Sequence, residues 1–320
     1  MPKPLATLSL DLDNLWSYLK IYANPEWTNF PSYLPTFVPL LCDLLNQHRL
    51  KITIFIVGQD AALEKNKPWL QQIVSQGHEV ANHSFHHDPW MSEMSPEEIS
   101  DELHRSHEAI VNATGKIPQS FRGPGFCQSK MLLQAVKKIG YRFDGTLFPS
   151  SLSPLSRLYY FMHSPNLSTE EKKKRKTLFG PLSNAWKPLK PFFWQLPEGE
   201  LLEIPVTTLP FLRFPFHFSY LIWLHSHSPM VAKNYFNFAL YTCKIFGVQP
   251  SILLHPTDFL GGESCLHQLD FFPGMRLKQD QKVEFIGQCF EKLNSLFEVV
   301  PMSTFAEKAA LQNNLRKIEI

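Results

Sequence analysis

The sequence predicts an α/β fold in which strands and helices alternate around a parallel sheet or barrel. Short apolar and β-branched runs alternate with helical apolar spacing along most of the chain. The chain has 320 residues, 44% of them hydrophobic and 19% charged, which is enough for a sizeable core and excludes a wholly disordered chain. Chemically versatile side chains directly follow several predicted strands, at the edge where parallel α/β folds build their sites.

In the first half of the chain the predicted strands are short, and each of the first four is followed by a helix. Strands are predicted at residues 5–10, 51–57, 78–81, 120–121 and 141–143. Helices are predicted at residues 36–48, 68–75, 95–113 and 130–139. The third of these helices opens with a capping box, Ser95-Pro96-Glu97-Glu98, and Gly115 follows its end.

The second half breaks this rhythm and then resumes it. Residues 150–195 are rich in Pro and Ser and contain the charge run EEKKKRK at 170–176, which predicts an inserted, partly helical loop region. Strands are then predicted at residues 201–208, 251–254 and 298–301, and helices at residues 282–297 and 303–311. We expect one domain over residues 1–320, with insertions at 150–200 and 209–247 that form a lid or a membrane-contact region.

Charge and cysteine usage narrow the function classes. A net charge of +2 gives no global basic field, so nucleic acid is not an expected partner. The cysteines are odd in number, scattered and without a CxxC pair, which predicts neither a disulfide framework nor a thiolate zinc site: Cys42, Cys127, Cys243, Cys265 and Cys289. The N-terminal residues lack a signal-peptide pattern, and no apolar stretch is long enough to span a membrane. We therefore expect a cytoplasmic protein.

The segment His83-Ser84-Phe85-His86-His87 is the strongest single signal of a site. His83 and His87 are four residues apart, so on a helical turn they would face the same way and could hold one divalent metal. The alternative is a solvated, His-rich loop.

Two acids, Asp11 and Asp13, end the first predicted strand. In an extended segment residues i and i+2 face the same side, so two carboxylates would repel unless a metal or a cation stabilises them. One could bind a metal while the other transfers protons. The alternative is a solvated strand end.

Two further signals follow later strands. Arg122 begins the turn RGPGF, and its planar guanidinium could pair with a carboxylate such as that of Asp11. The N–H of Gly125 in the same turn could face a developing oxyanion. His255 ends the apolar run SILL and could act as a general acid. An ordinary turn and a structural histidine are the alternatives.

These motifs in this order resemble the NodB-type polysaccharide deacetylases, a carbohydrate esterase family. SLDLDN resembles the family's acidic pair, HSFHH its His-Ser/Thr-x-x-His motif, FRGPGF its Arg-x-Pro motif, FDGT its fourth motif and LLH its Leu-x-His motif. Leu12 separates the two acids here, a DxD form that resembles the intracellular-type members. His87 is followed by Asp88 rather than by the usual Pro.

The resemblance implies a distorted (β/α) barrel with about seven parallel strands and a metal-dependent amide hydrolase. It implies Asp13, His83 and His87 as metal ligands, with Zn²⁺ expected and Co²⁺, Fe²⁺, Ni²⁺ or Mn²⁺ as alternatives. Asp11 would be the base and His255 the acid, although the two aspartates could exchange roles. Arg122 would orient Asp11. Asp144 is assigned as the partner of His255 or Arg122. Asp258 is the alternative residue for orienting His255.

The expected substrate is an acetylated or formylated amino sugar on a lipid, glycolipid or nucleotide carrier. The alternatives are a small amide or cyclic imide as substrate, and an inactive member that only binds carbohydrate or a partner. No obligate protein partner is predicted. The aromatic segment 209–224 and the basic run Lys172–Lys176 could together contact an anionic membrane surface, or the aromatics could simply fill the core.

Overall fold

The computed structural model describes residues 2–164, 167–262, 267–270, 272, 274–311 and 314–320. The strands are β1 Leu5–Asp11, β2 Thr53–Ile56, β3 Glu79–Asn82, β4 Ser120–Phe121, β5 Phe143–Asp144, β6 Phe192–Leu196, β7 Gly199–Glu203, β8 Ser251–Leu254, β9 Glu298–Val299 and β10 Lys317–Glu319. The helices are α1 Leu15–Ile21, α2 Leu34–Gln47, α3 Gly58–Ala62, α4 Lys67–Ser75, α5 Pro96–Thr114, α6 Lys130–Lys138, α7 Ser153–Met162, α8 Thr169–Lys174, α9 Phe218–His227, α10 Pro229–Ile245, α11 Gln279–Leu296 and α12 Met302–Ala310.

The strands form one sheet in the order β10-β6-β7-β5-β4-β3-β2-β1-β8, and β9 also pairs with β1. From β7 to β8 every neighbouring pair is parallel, whereas β6 and β7 form an antiparallel hairpin. The chain after β7 then crosses to the far edge: the Thr207 N–H donates to the Ser251 carbonyl at 2.9 Å, and the Ser251 N–H donates to Thr207 Oγ1 at 2.8 Å. The predicted distorted barrel of about seven parallel strands is confirmed.

The apolar runs of the sequence become the two faces of this sheet. All seven residues of β1 and all four of β2 are buried, which explains why these strands read as continuous apolar segments. One cluster joins Phe55, Phe143 and Leu202 from three strands with Met302 and Phe305 of α12. A larger cluster lies between the sheet and helices that include α2, α10 and α11.

The capping residues in the sequence correctly predict both ends of α5. The Ser95 side chain accepts from the Glu98 N–H at 3.2 Å while Glu98 accepts from the Ser95 N–H at 2.8 Å, and Gly115 ends α5 with a positive φ of 69°. Local sequence patterns do not predict α1, α9, α10, β6 or β10. The predicted strand 201–208 begins at Gly199 and ends at Glu203, and its remainder is the extended segment that reaches β8.

The two predicted insertions contribute to the barrel itself. Residues 150–200 contain α7 and α8, but also β6, which is hydrogen-bonded into the sheet. In segment 209–224 some aromatics are core residues, since Phe216 and Phe218 are fully buried, whereas Phe211 is 75% exposed. The domain boundaries themselves stay a prediction.

Two expectations about the chain as a whole concern its thiols and its helices. Cys42, Cys127, Cys243 and Cys289 are free and buried, and Cys265 lies outside the described residues. Across the described part of the chain, no helix is both long and apolar enough to cross a bilayer.

Candidate metal and acid-base site

Parallel pairing brings four strand ends to one edge of the sheet. β1 ends at Asp11, and His83, Arg122 and His255 directly follow β3, β4 and β8. The registers align Leu10 with Leu254, and Asn82 with Phe121, so the residues that follow these strands are neighbours in space although they are far apart in the chain.

Asp13, His83 and His87 converge at this edge. Asp13 Oδ1 lies 2.9 Å from His87 Nε2 and 3.3 Å from His83 Nε2, and one ligand atom from each residue lies within 4.8 Å of the other two. All three residues are buried. One carboxylate oxygen and two imidazole nitrogens at this separation form a donor set suited to a divalent ion such as zinc.

Hydrogen bonding leaves the required atoms free for a metal. His83 Nδ1 lies 2.7 Å from the Arg122 carbonyl oxygen, which can only accept, so this nitrogen carries the proton and Nε2 is left to bind. Among the described residues, buried Asp13 Oδ1 and both ring nitrogens of His87 make no hydrogen bond of good geometry, although Asp13 Oδ1 and His87 Nε2 lie close together. Buried polar atoms without partners are rare, so this cluster fits the metal that the resemblance implies.

The histidine segment is a loop rather than the predicted helical turn. Ser84 and His87 have positive φ values of 61° and 55°, a region that residues other than glycine seldom adopt. Glu102 of α5 holds the loop, because its Oε2 accepts from the N–H groups of Phe85 and His86 at 3.0 Å each, and its Oε1 contacts the His86 ring. His87 therefore faces His83 through a strained backbone and not through helical periodicity.

Asp11 is paired with a fully buried arginine. Arg122 Nη1 donates to Asp11 Oδ1 at 2.7 Å and to Ser9 Oγ at 2.9 Å, and its Nε donates to the Gly145 carbonyl at 2.8 Å. The guanidinium also lies 4.2 Å from the ring centroid of Phe55. These contacts fix Asp11 beside the histidines, with its Oδ2 3.8 Å from His83 Nε2.

His255 lies beside the same carboxylate oxygen as His83. Its Nε2 lies 4.0 Å from Asp11 Oδ2, and its Nδ1 lies 3.0 Å from Ser219 Oγ of α9. Asp258 accepts from the His255 backbone N–H at 2.7 Å, while its carboxylate is 4.0 Å from Nδ1. Ser219, which the sequence analysis missed because α9 was not identified, is therefore the nearer partner of the imidazole.

Asp144 lies in a different cluster from the one predicted. Its carboxylate accepts from Thr146 Oγ1 at 2.8 Å and from Gln128 Nε2 at 3.2 Å, and it is hydrogen-bonded to Glu203 of β7. The predicted pairing with His255 or Arg122 was wrong, because those side chains bond to Ser219 and to Asp11 instead. Asp144 thus has a neighbouring acid, not a base, as its partner.

The charges of the site oppose the effect of burial. Burial acts to raise the pKa of Asp13, but the adjacent His87 and His83 outweigh burial and hold this pKa well below its ordinary value. Burial acts to lower the pKa of His83, yet Asp11 and Asp13 raise it above its ordinary value. Asp13 and His83 therefore each favour the charged form of the other.

Neighbouring polar residues fix the backbone around Asp13. The Tyr33 hydroxyl donates to the Asp13 carbonyl, and Asn14 Nδ2 donates to buried Asp60 at 2.7 Å. Asp60 also accepts from Trp16 Nε1 and Asn66 Nδ2, and burial raises its pKa to about 7. The only sequence hint of this network was the Asn that follows DLD.

Gly125 is required by its surroundings. Its φ is 59°, and a Cβ at this position would lie 2.8 Å from Leu178 Cδ2 and 2.9 Å from the Pro89 Cβ. A larger residue would push the RGPGF turn away from the histidine loop. The role of its N–H toward an oxyanion stays a prediction.

A sequence profile described as polysaccharide deacetylase matches residues 26–143. Over residues 26–143 the chain is therefore similar to the polysaccharide deacetylase family. It is 32% identical over 108 residues to the peptidoglycan-N-acetylmuramic acid deacetylase PdaA of Bacillus subtilis, and 35% identical over 108 residues to a chitooligosaccharide deacetylase of Bradyrhizobium. The matches cover 33% of this chain in both cases, and 40% and 48% of those relatives, so the chain spans less than half the length of either.

Solved structures agree on the fold over the whole chain. A polysaccharide deacetylase structure from Mycobacterium smegmatis superposes with a TM-score of 0.63 at 17% identity, covering 99% of this chain and 97% of that one. The resemblance carried by the sequence motifs is confirmed. The profile begins at residue 26 and ends at residue 143, so Asp11, Asp13 and His255 join the site only through the fold.

Proposed function

We propose that the protein is a metal-dependent hydrolase that removes an acetyl or formyl group from an amino sugar. The observation that carries this proposal is the meeting of Asp13 with His83 and His87 beside a second carboxylate, Asp11, that is free of the ligand cluster. The match to the polysaccharide deacetylase profile and the names of the two deacetylase relatives support an N-acylated amino sugar as the substrate class.

The proposed metal site consists of Asp13, His83 and His87. A divalent ion bound there supplies Lewis acidity, polarising the acyl carbonyl and lowering the pKa of a bound water. Tyr33 holds the Asp13 backbone, and the Arg122 carbonyl fixes the His83 ring. Zn²⁺ is the proposed ion because two nitrogens and one oxygen with open positions are typical of catalytic zinc.

The proton transfers are assigned to Asp11 and His255. Asp11 takes a proton from the water whose oxygen adds to the acyl carbon, and Arg122 keeps this carboxylate oriented. His255 gives a proton to the sugar nitrogen as the C–N bond breaks, so that a neutral amine leaves. The products are a free amine and a carboxylic acid, and a proton passed from Asp11 to His255 through solvent resets the pair.

The position of His255 suits the role of acid. Its side chain is 17% exposed, whereas that of His83 is 1% exposed, so His255 is the more open to an incoming sugar. Ser219 accepts from or donates to its Nδ1, which leaves Nε2 directed toward Asp11 and the substrate. The proposed acid and base lie close enough together to act on one amide group, with His255 Nε2 4.0 Å from Asp11 Oδ2.

For the sugar carrier we propose a lipid or a nucleotide, and for the location the cytoplasm. The four described cysteines are free thiols, which is typical of a reducing compartment. Amino sugars in that compartment are carried by nucleotides and by membrane lipids. A cell-wall polymer, to which the name of PdaA refers, is the competing substrate class.

The decisive experiment measures metal content and product release together. Purified protein is analysed for bound metal, then incubated with nucleotide-linked and lipid-linked N-acyl amino sugars and with N-acetyl chito-oligosaccharides, and acetate and formate are quantified by mass spectrometry. We expect one metal equivalent per chain and release of acetate or formate from at least one carrier class.

The control for this experiment is a second histidine variant. His104→Ala, on the exposed face of α5, is the matched control for His83→Ala and should retain the metal. A protein that binds metal and releases no acid from any of these substrates would contradict the proposal.

A further inference from the structure

A groove of about 1120 Å³ lies outside the candidate active site. Its walls come from segments that directly precede five strands: Pro4 before β1, Lys190 before β6, Gln249 before β8, Phe297 before β9 and Arg316 before β10. The described lining includes none of the residues assigned above to metal binding or proton transfer. The groove is therefore a separate surface feature.

The charge of the groove has one sign. Its described lining contains Lys190, Arg213, Lys244 and Arg316 and no aspartate or glutamate. The chain as a whole has nearly equal numbers of basic and acidic residues, 31 and 29. A local excess of this kind attracts anions.

One of these cations has an unsatisfied donor. Arg213 Nη1 is buried and has no hydrogen-bond partner among the described residues. A guanidinium nitrogen taken out of water without an acceptor is costly. An anionic group in the groove would supply that acceptor.

Apolar side chains project from the rim of the groove rather than lining a closed pocket. Trp186 is 87% exposed, Phe211 75% and Leu212 56%, and the Phe211 ring packs edge-on against Phe246 at 4.5 Å between centroids. On α10, Phe238, Tyr241 and Ile245 extend this apolar surface at helical spacing and are 46–77% exposed. A pocket for a small ligand would bury its apolar lining instead.

The loop that presents Phe211 is strained. Phe211 and Arg213 have positive φ values of 69° and 59°, and the loop is closed by bonds from the Leu209 N–H to the Phe214 carbonyl and from the Arg213 N–H to the Leu209 carbonyl, both 2.8 Å. Strained backbone persists where structure or function requires it. Because Phe211 and Leu212 are exposed, core packing does not explain why the loop presents them.

We propose that this surface docks on an anionic phospholipid bilayer. Trp186, Phe211 and Leu212 would enter the interfacial region, where aromatic side chains are favoured, and the cations would face lipid phosphates. The charge complementarity and the projecting aromatics favour a bilayer over a soluble anion. This inference does not depend on the proposed hydrolase activity, and it places the contact away from the basic run Lys172–Lys176.

The test is co-sedimentation of the full chain with vesicles. One set contains phosphatidylcholine alone, and the other contains phosphatidylcholine and phosphatidylglycerol in equal amounts. We expect binding to the anionic set and at least about tenfold weaker binding to the neutral one. Combined Trp186→Ser and Phe211→Asn should weaken binding about tenfold or more, and Asn is chosen because it tolerates positive φ.

The cation variants separate the groove from the rest of the basic surface. Each cation facing an anionic bilayer contributes about fivefold in binding, so combined Lys190→Gln and Lys244→Gln should weaken it about twenty-five-fold. Combined Lys172→Gln and Lys173→Gln, on exposed α8, removes the same charge and should bind like the wild type. Asp11→Asn should also bind like the wild type, which separates docking from catalysis.

Three results would overturn the proposal. The first is absence of wild-type binding to anionic vesicles. The second is wild-type binding by both groove variants when their circular dichroism is unchanged. The third is self-association without vesicles that the Phe211→Asn variant abolishes, since the groove would then be an interface between two copies of the chain.

Discussion

Two pairs of buried acids at strand ends behave in opposite ways. Asp11 ends β1 and Asp13 lies two residues beyond it, among an arginine and two histidines. Asp144 and Glu203 end β5 and β7 among a threonine, a glutamine and a tryptophan. Cationic neighbours hold the pKa of Asp13 well below its ordinary value. Burial raises the pKa of Glu203 well above its ordinary value, and the charge of Asp144 raises it further.

The difference shows that neighbours, rather than burial, decide what a buried carboxyl can do. Among the described residues, the side chains that donate to Asp144 and Glu203 are neutral: Thr146, Gln128 and Trp194, whose Nε1 lies 2.7 Å from Glu203 Oε2. The pKa of both acids is raised, so the pair favours holding a proton. Asp13 has two imidazoles beside it that lower its pKa, and Asp11 is paired with the Arg122 guanidinium. Sequence position at a strand end is the same for both pairs.

The largest effect is expected from the metal ligand. Asp13→Ala should abolish both metal binding and hydrolysis, because two imidazoles alone hold a divalent ion weakly. Asp144→Asn, the corresponding change in the other pair, should retain the metal. Metal content by inductively coupled plasma mass spectrometry decides this, and a metal-loaded Asp13→Ala protein would show that the two aspartates exchange roles.

Asp11→Asn should keep the metal and lose most of the activity. Asparagine preserves the shape of the side chain but no longer accepts the water proton, so kcat should fall by about 10²–10⁴. His255→Ala should likewise keep the metal and lose most of the activity toward substrates with a basic leaving amine. Steady-state rates on protein with verified metal content measure this, and an Asn variant of near wild-type rate would remove Asp11 as the base.

Arg122→Gln should destabilise the fold strongly. The fully buried guanidinium compensates Asp11, and removing one partner of a buried ion pair costs about 3–5 kcal/mol. The double variant Arg122→Gln with Asp11→Asn should recover part of this loss, because no buried charge is then left unpaired. Urea denaturation of the two variants gives the free energies, and equal stabilities would mean that the ion pair is not the source of the loss.

The smallest expected effect is a change in the pH dependence of stability. Because the folded-state pKa of Glu203 is raised, the folded protein holds a proton that the unfolded chain releases above its ordinary pKa of 4.5. Stability therefore falls as the pH rises from that value toward the folded-state pKa, by up to about 1.4 kcal/mol per pH unit. Glu203→Gln, which is neutral at every pH, should flatten this slope.

Urea midpoints between pH 5 and pH 8 measure that slope. Asp101→Asn, an exposed acid on α5, is the control and should leave the slope unchanged. An unchanged slope in Glu203→Gln would mean that the pair is not protonated in the folded state, and the contrast between the two acid pairs would then lose its basis.

The parts of the fold that local chemistry specifies were predictable. Buried apolar runs predict β1, β2 and β8, and a capping box predicts the start of α5. The observed bounds of these elements differ from the predicted bounds by only a few residues. The helices α9 and α10 and the strands β6 and β10 were not predicted. In α10 the apolar residues lie on the exposed face as well as the buried one, so no clean period identifies it.

The sequence by itself determined the candidate side chains, because strand ends and short motifs are local features. The structure places these six residues together: Asp11, Asp13, His83, His87, Arg122 and His255. Only the tertiary structure decided their partners. Glu102, Ser219 and Glu203 lie on other elements, and nothing in their local sequence marks them. A hydrogen-bond partner depends on which element packs alongside, and this is why the pairing proposed for Asp144 failed whereas the position of His255 did not.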